Sequence, residues 1–213
     1  MWWKYVVVCI IGYFLGCINT ATIVAKANKK DIRKMGSGNP GTMNVVRNLG
    51  AKWGAVTLVC DLAKSVIPSV LGLLLIPESP GGVCGLYAGG LSAVVGHIYP
   101  VINGFKGGKG VACAMGVFFV AAPLWSLVTF AVLLVFLLTV KYGSLGNLLF
   151  ITVLTVEEGI KFSGILPVSL MLFAIWVLVW FAHRENIVRI ILGTERKSDL
   201  TKAFRKIKPD SKK

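Results

Sequence analysis

Acidic residues are scarce in this chain: nine Asp and Glu stand against 23 Lys and Arg among 213 residues, with only two histidines. Charged residues of both signs make up 15%, too few to clothe a soluble domain of this length. The five cysteines (Cys9, Cys17, Cys60, Cys84 and Cys113) include no Cys-x-x-Cys pair and no neighbouring histidine. Metal binding and a disulfide framework are therefore disfavoured, and the thiols read as reduced and lipid-buried. No polar stretch is long enough to house a separate globular domain.

What is present is apolar sequence: 55% hydrophobic residues and a mean hydropathy of +0.76. Residues 1–213 therefore read as one polytopic membrane unit. Backbone polar groups in hydrocarbon must be satisfied within the chain, so the expected fold is all-α, a bundle of about seven transmembrane helices. The predicted spans are Trp2–Ala25, Trp53–Ile76, Val83–Ile102, Val111–Ala122, Leu124–Val140, Ser144–Val156 and Gly164–Ala182. The fourth and sixth are short, and Pro123 marks the weakest boundary. The apolar run from Tyr5 is longer than a signal-peptide core and lacks a basic start beyond Lys4, so it reads as a retained helix,.

Orientation follows from the basic residues. With the N-terminus outside, only Lys4 and Lys161 fall outside and Lys64 within the membrane, leaving 20 of the 23 inside,. The C-terminus is then cytoplasmic and ends in a basic tail at about 198–213. The net charge of +14 would suggest nucleic acid in a soluble protein. Here it reads as topology signal and as attraction for anionic lipid headgroups or substrates, with no nucleic acid expected.

Three polar segments share that inner face. Phe105-Lys106-Gly107-Gly108-Lys109-Gly110 precedes the helix expected from Val111. Glycines that let backbone N–H groups approach an anion, a lysine and a helix N-terminus suit phosphate. This is no nucleotide P-loop, since Asn103 replaces its first glycine and Gly110 its final Ser or Thr,. The earlier segment, from Gly36 to Arg47, offers Ser37, Asn39 and Asn44 as hydrogen-bonding groups and Arg47 as a bidentate phosphate ligand. No base stands near Ser37 to make it a nucleophile. In the third, His183, Asn186 and Arg189 recur every three residues, so a helix would present them along one side, and His183 can exchange a proton near neutral pH. His97 reads as a helix-end structural residue. Asp61 and Lys64 share a helical face inside an apolar span, as a buried pair or as organisers of the site. Two phosphate-ready loops, a proton carrier and lipid access suggest joining a phosphorylated polar molecule to a membrane-resident one.

Taken together, Gly36-Ser37-Gly38-Asn39, Asn44, Arg47, Gly96-His97, Phe105 to Ala112, and His183-Arg184, Asn186, Arg189, Gly193, Glu195 and Lys197 resemble the bacterial acyl-phosphate:glycerol-3-phosphate acyltransferase family (PlsY type), over nearly the whole chain. The resemblance implies acyl transfer from acyl phosphate to the 1-hydroxyl of sn-glycerol 3-phosphate, giving lysophosphatidic acid and inorganic phosphate in the first acylation of phospholipid synthesis. It implies His183 and Asn186 in the catalytic region. Substrate-phosphate binding falls to Ser37, Asn44, Arg47, Lys106, Gly107, Gly108, Lys109 and Gly110, supported by Asn39, Arg189 and a structural Glu195. It further implies a bacterial inner-membrane location, membrane lipids around the chain, and coupling to the soluble enzyme that forms acyl phosphate. The donor is a mixed anhydride with a good leaving group, so neither metal nor cofactor is required. The chain departs from the family pattern at Thr42-Met43, at Ala182 and at Ser65. An acyl-CoA-dependent enzyme is disfavoured, since the expected aspartate positions after His97 and His183 hold Ile102 and Val188. A transporter of an anion or lipid phosphate is the alternative of a different class.

Overall fold

The computed structural model describes residues 2–78 and 80–197, and the basic tail expected at about 198–213 lies outside them. Every regular element among the described residues is helical. The first apolar run forms α1 (Trp2–Cys17) and α2 (Thr20–Ala27), not the unbroken helix expected over Trp2–Ala25. The break has a local cause. Asn19 Oδ1 accepts from the N–H of Thr22 at 2.8 Å and caps α2, while Lys64 Nζ donates to the Ile18 carbonyl at 3.0 Å,.

The first polar loop passes through a 3-10 turn (Ile32–Lys34) into α3 (Thr42–Leu49). Ile32 and Val45 are fully buried and close a small apolar cluster with Ala21, Val24 and Ala25. That cluster anchors α3, and with it Arg47, against the base of α2. The two long apolar helices, α4 (Ala51–Leu75) and α5 (Gly81–Ile98), follow. They approach so closely that a methyl group at Gly72 or Gly85 would meet the other helix's backbone. Small residues do this in membrane helices, where van der Waals packing and not the hydrophobic effect drives association.

α5 is central, packing against α1, α4, α6 (Val111–Ala121) and α9 (Leu166–Ala182). It stops at Ile98 instead of Ile102 because Pro100 restricts Tyr99 and offers no N–H to a continuing helix,. α7 (Pro123–Thr139) begins directly at the Pro123 boundary. α8 (Gly143–Lys161) runs past the expected Val156. It accommodates Glu158 at full burial because Tyr87 Oη and, at 2.8 Å, Lys161 Nζ donate to its carboxylate. α10 (Arg184–Ile191) leaves α9 at a bend of 56°. By length and composition Trp2–Ala27, Ala51–Leu75 and Gly81–Asn103 qualify as membrane spans, with a fourth if α9 and α10 count as one; α6 and α7 are shorter apolar helices.

Candidate functional site

The three polar segments meet at one end of the bundle through their side chains. Lys109, just before α6, donates from its ammonium to Asn186 Oδ1 on α10. Asn186 Nδ2 donates to Glu195 Oε1 at 2.6 Å, and Ser144 Oγ, at the start of α8, donates to the same oxygen at 2.7 Å. Arg189 Nε donates to Glu195 Oε2 at 2.8 Å. Arg47, carried by α3, acts electrostatically on Lys109 and feels Glu195. Arg33 Nη2 ties the first loop to the second by donating to the Lys106 carbonyl at 2.5 Å.

The electrostatics of this cluster favour an anion. Burial first, and then repulsion from Arg189, pulls Lys109 down to about 8, against the opposing pull of Glu195 and Glu185,. Burial likewise lowers the Arg47 guanidinium, opposed by Glu195. For Glu195, burial acts upward, but hydrogen bonds from Asn186, Ser144 and Arg189 outweigh it and hold the carboxyl below its ordinary value. Glu195 is thus a fixed anion matched by Arg189 and serves as a strut for Asn186 rather than as a base. Arg47 and Lys109 bring two further cations to the same partly buried place.

His183 occupies the bend between α9 and α10 and is 2% exposed. The expected single helix presenting His183, Asn186 and Arg189 is corrected here: His183 caps α9, and only Asn186 and Arg189 ride on α10. Its Nδ1 lies 2.8 Å from the Val179 carbonyl. A carbonyl oxygen only accepts, so Nδ1 carries a hydrogen and the neutral ring keeps Nε2 as its acceptor.

The glycine loop works differently from the expected anion cradle. The N–H groups of Gly107 and Gly108 donate to the carbonyls of Ile98 and His97, each at 3.0 Å, so they are unavailable to a ligand. These glycines permit close packing on the end of α5. The amides at the start of α6 have no acceptor within the helix,. Its first ring-closing bond runs from Ala114 N–H to the Gly110 carbonyl at 2.8 Å, which leaves Val111, Ala112 and Cys113 at the positive helix end,. Gly110 sits at φ +79°, the left-handed conformation that turns the loop into this helix,. The Lys106 side chain is exposed, and its carbonyl is the group engaged with Arg33.

Asn44 is corrected as well. Its Oδ1 accepts from Ser37 N–H at 3.1 Å and Asn48 Nδ2 at 3.0 Å, and its Nδ2 donates to the carbonyls of Ile32 at 3.2 Å and Met35 at 2.9 Å. Two donors and two lone pairs are the whole capacity of an amide. Asn44 therefore shapes the first loop and has nothing left for a phosphate. Ser37 is exposed on that loop, where its Oγ accepts from Asn39 N–H at 3.4 Å. Sequence reasoning missed Arg33, read only as part of a basic run, and Ser144, read as the start of a span. Neither has a local signal, because each acts on a residue more than 50 positions away.

Comparison with known proteins bears on this arrangement. The family model for glycerol-3-phosphate acyltransferase matches residues 6–193. Among relatives, "Glycerol-3-phosphate acyltransferase 2" of Bacillus anthracis is 41% identical over 194 residues, covering 88% of this chain and 96% of that one. The glycerol-3-phosphate acyltransferase of Aquifex aeolicus (strain VF5) is 38% identical over 198 residues, covering 91% and 99%. Among solved structures, PlsY (YgiH), an integral membrane glycerol 3-phosphate acyltransferase, aligns in its glycerol 3-phosphate form with a TM-score of 0.84 at 34% identity, over 94% of this chain and 98% of that one. Its lysophosphatidic acid form aligns with a TM-score of 0.82 at 33% identity.

Proposed function

Because the chain belongs to the glycerol-3-phosphate acyltransferase family and is an enzyme of that activity, we propose that its whole length is one catalytic unit that takes the acyl group from acyl phosphate. The acceptor atom is the 1-hydroxyl of sn-glycerol 3-phosphate, and the products are lysophosphatidic acid and inorganic phosphate. The observation that carries this reading is the convergence of Arg47, Lys109 and the start of α6 beside His183 and Asn186. The hydroxyl oxygen attacks the acyl carbon, the bond from that carbon to the phosphate oxygen breaks, and phosphate departs with both bonding electrons. The hydroxyl proton passes to His183 Nε2 or to the departing phosphate. Arg47, Lys109 and the α6 amides hold phosphate charge, and Asn186, fixed by Glu195, sets the direction of the Lys109 ammonium.

A donor panel tests the acyl phosphate assignment. Purified protein in detergent is expected to form lysophosphatidic acid from acyl phosphate and glycerol 3-phosphate, and none from acyl-CoA or acyl carrier protein alone. Product from acyl-CoA with none from acyl phosphate would overturn the donor. The transporter alternative is disfavoured by position, since Lys109, Ser144, His183 and Asn186 all lie at helix ends, whereas a transporter places its substrate near the bilayer midplane.

In this reading α1–α2, α4, α5, α6, α7, α8 and α9 make seven crossings of a bacterial inner membrane, with the N-terminus outside and the site cytoplasmic, where soluble acyl-phosphate-forming enzyme supplies the donor. The distribution of Lys and Arg supports this orientation,. With the native cysteines replaced, single cysteines introduced at Glu78 and at Lys30 are expected to react with an impermeant reagent from opposite sides. Labelling of both from the outside of intact cells would reject the orientation.

The Lys109 environment gives a pH prediction. An ammonium lowered to about 8 is protonated and phosphate-binding below that pH and loses its charge above it. Consequently kcat/KM for glycerol 3-phosphate, which reports the free enzyme, is expected to fall as pH rises through about 8. Lys109→Arg keeps its charge across this range, so whatever activity it retains lacks that limb. The same limb in Lys109→Arg would rule out Lys109 as its source.

A further inference from the structure

A second buried polar group lies beneath the glycine loop. Asp61 Oδ1 accepts from Thr20 Oγ1 at 3.1 Å and pairs with Lys64 Nζ at 2.9 Å, and His97 Nδ1 stands 4.0 Å from the same oxygen. All four residues are buried. His97 belongs to the last turn of α5 and meets the loop twice. Its carbonyl accepts from Gly108 N–H at 3.0 Å, and its ring lies against the Gly108 α-carbon. A methyl group at position 108 would find Nε2, Cε1 and Cδ2 of that ring as its three nearest neighbours. The Gly108 backbone is outside the left-handed region, so an alanine there meets a steric obstacle and no conformational penalty.

We propose that His97 is a positioning residue for acyl transfer: its imidazole, backed by Asp61, is the floor on which Gly108 rests, and it sets the depth at which the adjoining Lys109 ammonium meets the substrate phosphate. The inference rests on the reading of Lys109 as a phosphate ligand. Displacing a ligand group by about 1 Å costs on the order of 10²-fold in rate, so the height of this floor is a kinetic variable.

A double-mutant cycle tests it. Gly108→Ala is expected to lower kcat/KM for glycerol 3-phosphate by roughly 10²-fold by pushing the loop off the ring. In a His97→Ser background, where the ring is gone, the same change is expected to cost less than about 3-fold. Gly107→Ala is the control. Its methyl would meet the carbonyls of His97 and Ile98, which no change of the His97 side chain removes, so its loss should be equal in both backgrounds. Equal costs of Gly108→Ala with and without the ring, or rescue of Gly107→Ala by His97→Ser, would overturn the proposal. So would losses that follow the thermal unfolding midpoint in detergent instead of the kinetics. If Gly108→Ala does not fold alone, recovery of folded, active protein in the double variant supports the steric coupling and its absence refutes it. Lys109→Ala, assayed beside these, judges the phosphate reading separately: an unchanged KM for glycerol 3-phosphate there removes that reading, whereas a raised KM with an additive cycle removes only the role of His97.

Discussion

Lys109→Ala and Arg47→Ala are each expected to lower acyl transfer by roughly 10²-fold or more, the scale of about 2.7–4 kcal/mol associated with loss of one preorganised electrostatic donor. Both cations belong to a cluster whose carboxylate, Glu195, is already matched by Arg189 and by hydrogen bonds from Asn186 and Ser144. In the proposed reading both cations hold substrate phosphate, so truncating either removes charge where phosphate must be bound. Lys109 follows a loop anchored to the end of α5, and α3 is anchored through Val45 to a separate apolar cluster, so neither truncation should unfold the bundle. Initial rates with acyl phosphate, beside thermal unfolding of the same preparations, decide the matter. Near-wild-type rates in folded variants would sink the phosphate site. His183→Gln, assayed in the same series, addresses the proton: a glutamine amide hydrogen-bonds but does not titrate near neutral pH. Activity close to wild type there would transfer the proton's destination to phosphate and leave the cation site intact.

Asp61→Ala is expected to destabilise the protein by roughly 3–5 kcal/mol, because it strands the Lys64 ammonium in the interior without its counter-charge. Asp61 is 2% exposed and Lys64 5%, and their contact is 2.9 Å. Lys64 also holds the Ile18 carbonyl at the break between α1 and α2, and Thr20 at the head of α2 donates to Asp61. The damage is thus expected to spread to the first loop. Replacing both, as Asp61→Ala with Lys64→Met, removes the stranded charge and should leave a protein more stable than Asp61→Ala alone. Thermal unfolding midpoints in detergent provide the comparison. A double variant at least as unstable as the single one would show that the pair contributes more than mutual neutralisation.

The Asp61 and Lys64 pair also shows where sequence reading reaches its end. Their three-residue spacing predicts a shared helical face, and that holds. Which carbonyl the ammonium reaches, and that this divides the first apolar run into α1 and α2, depends on α4 packing across that run. The same boundary separates two readings of the glycine loop. Its composition and its place before α6 are visible in the residues. That Gly107 and Gly108 give their N–H groups to the end of α5 depends on where α5 ends in space. Asn44 is a similar case: an asparagine beside a glycine-rich loop looks like a ligand until its four partners are found in that loop, the 3-10 turn and α3.

The sequence by itself determined the chemical class of this protein, because lipid imposes helices on a chain with so few charges and because the motif residues Arg47, Lys109, His183 and Asn186 retain their chemistry wherever they are placed. It also determined that these residues would have to share a face, through the distribution of Lys and Arg along the loops. The tertiary structure alone decided which groups these residues engage, joining Asn186, Ser144 and Arg189 to Glu195, Arg33 to the Lys106 carbonyl, and Asn44 to Ser37 and Asn48. The physical reason is that a hydrogen-bonding group has a fixed capacity. Whether any of it remains for a ligand is settled by neighbours brought into reach by the fold, often from more than 50 residues away.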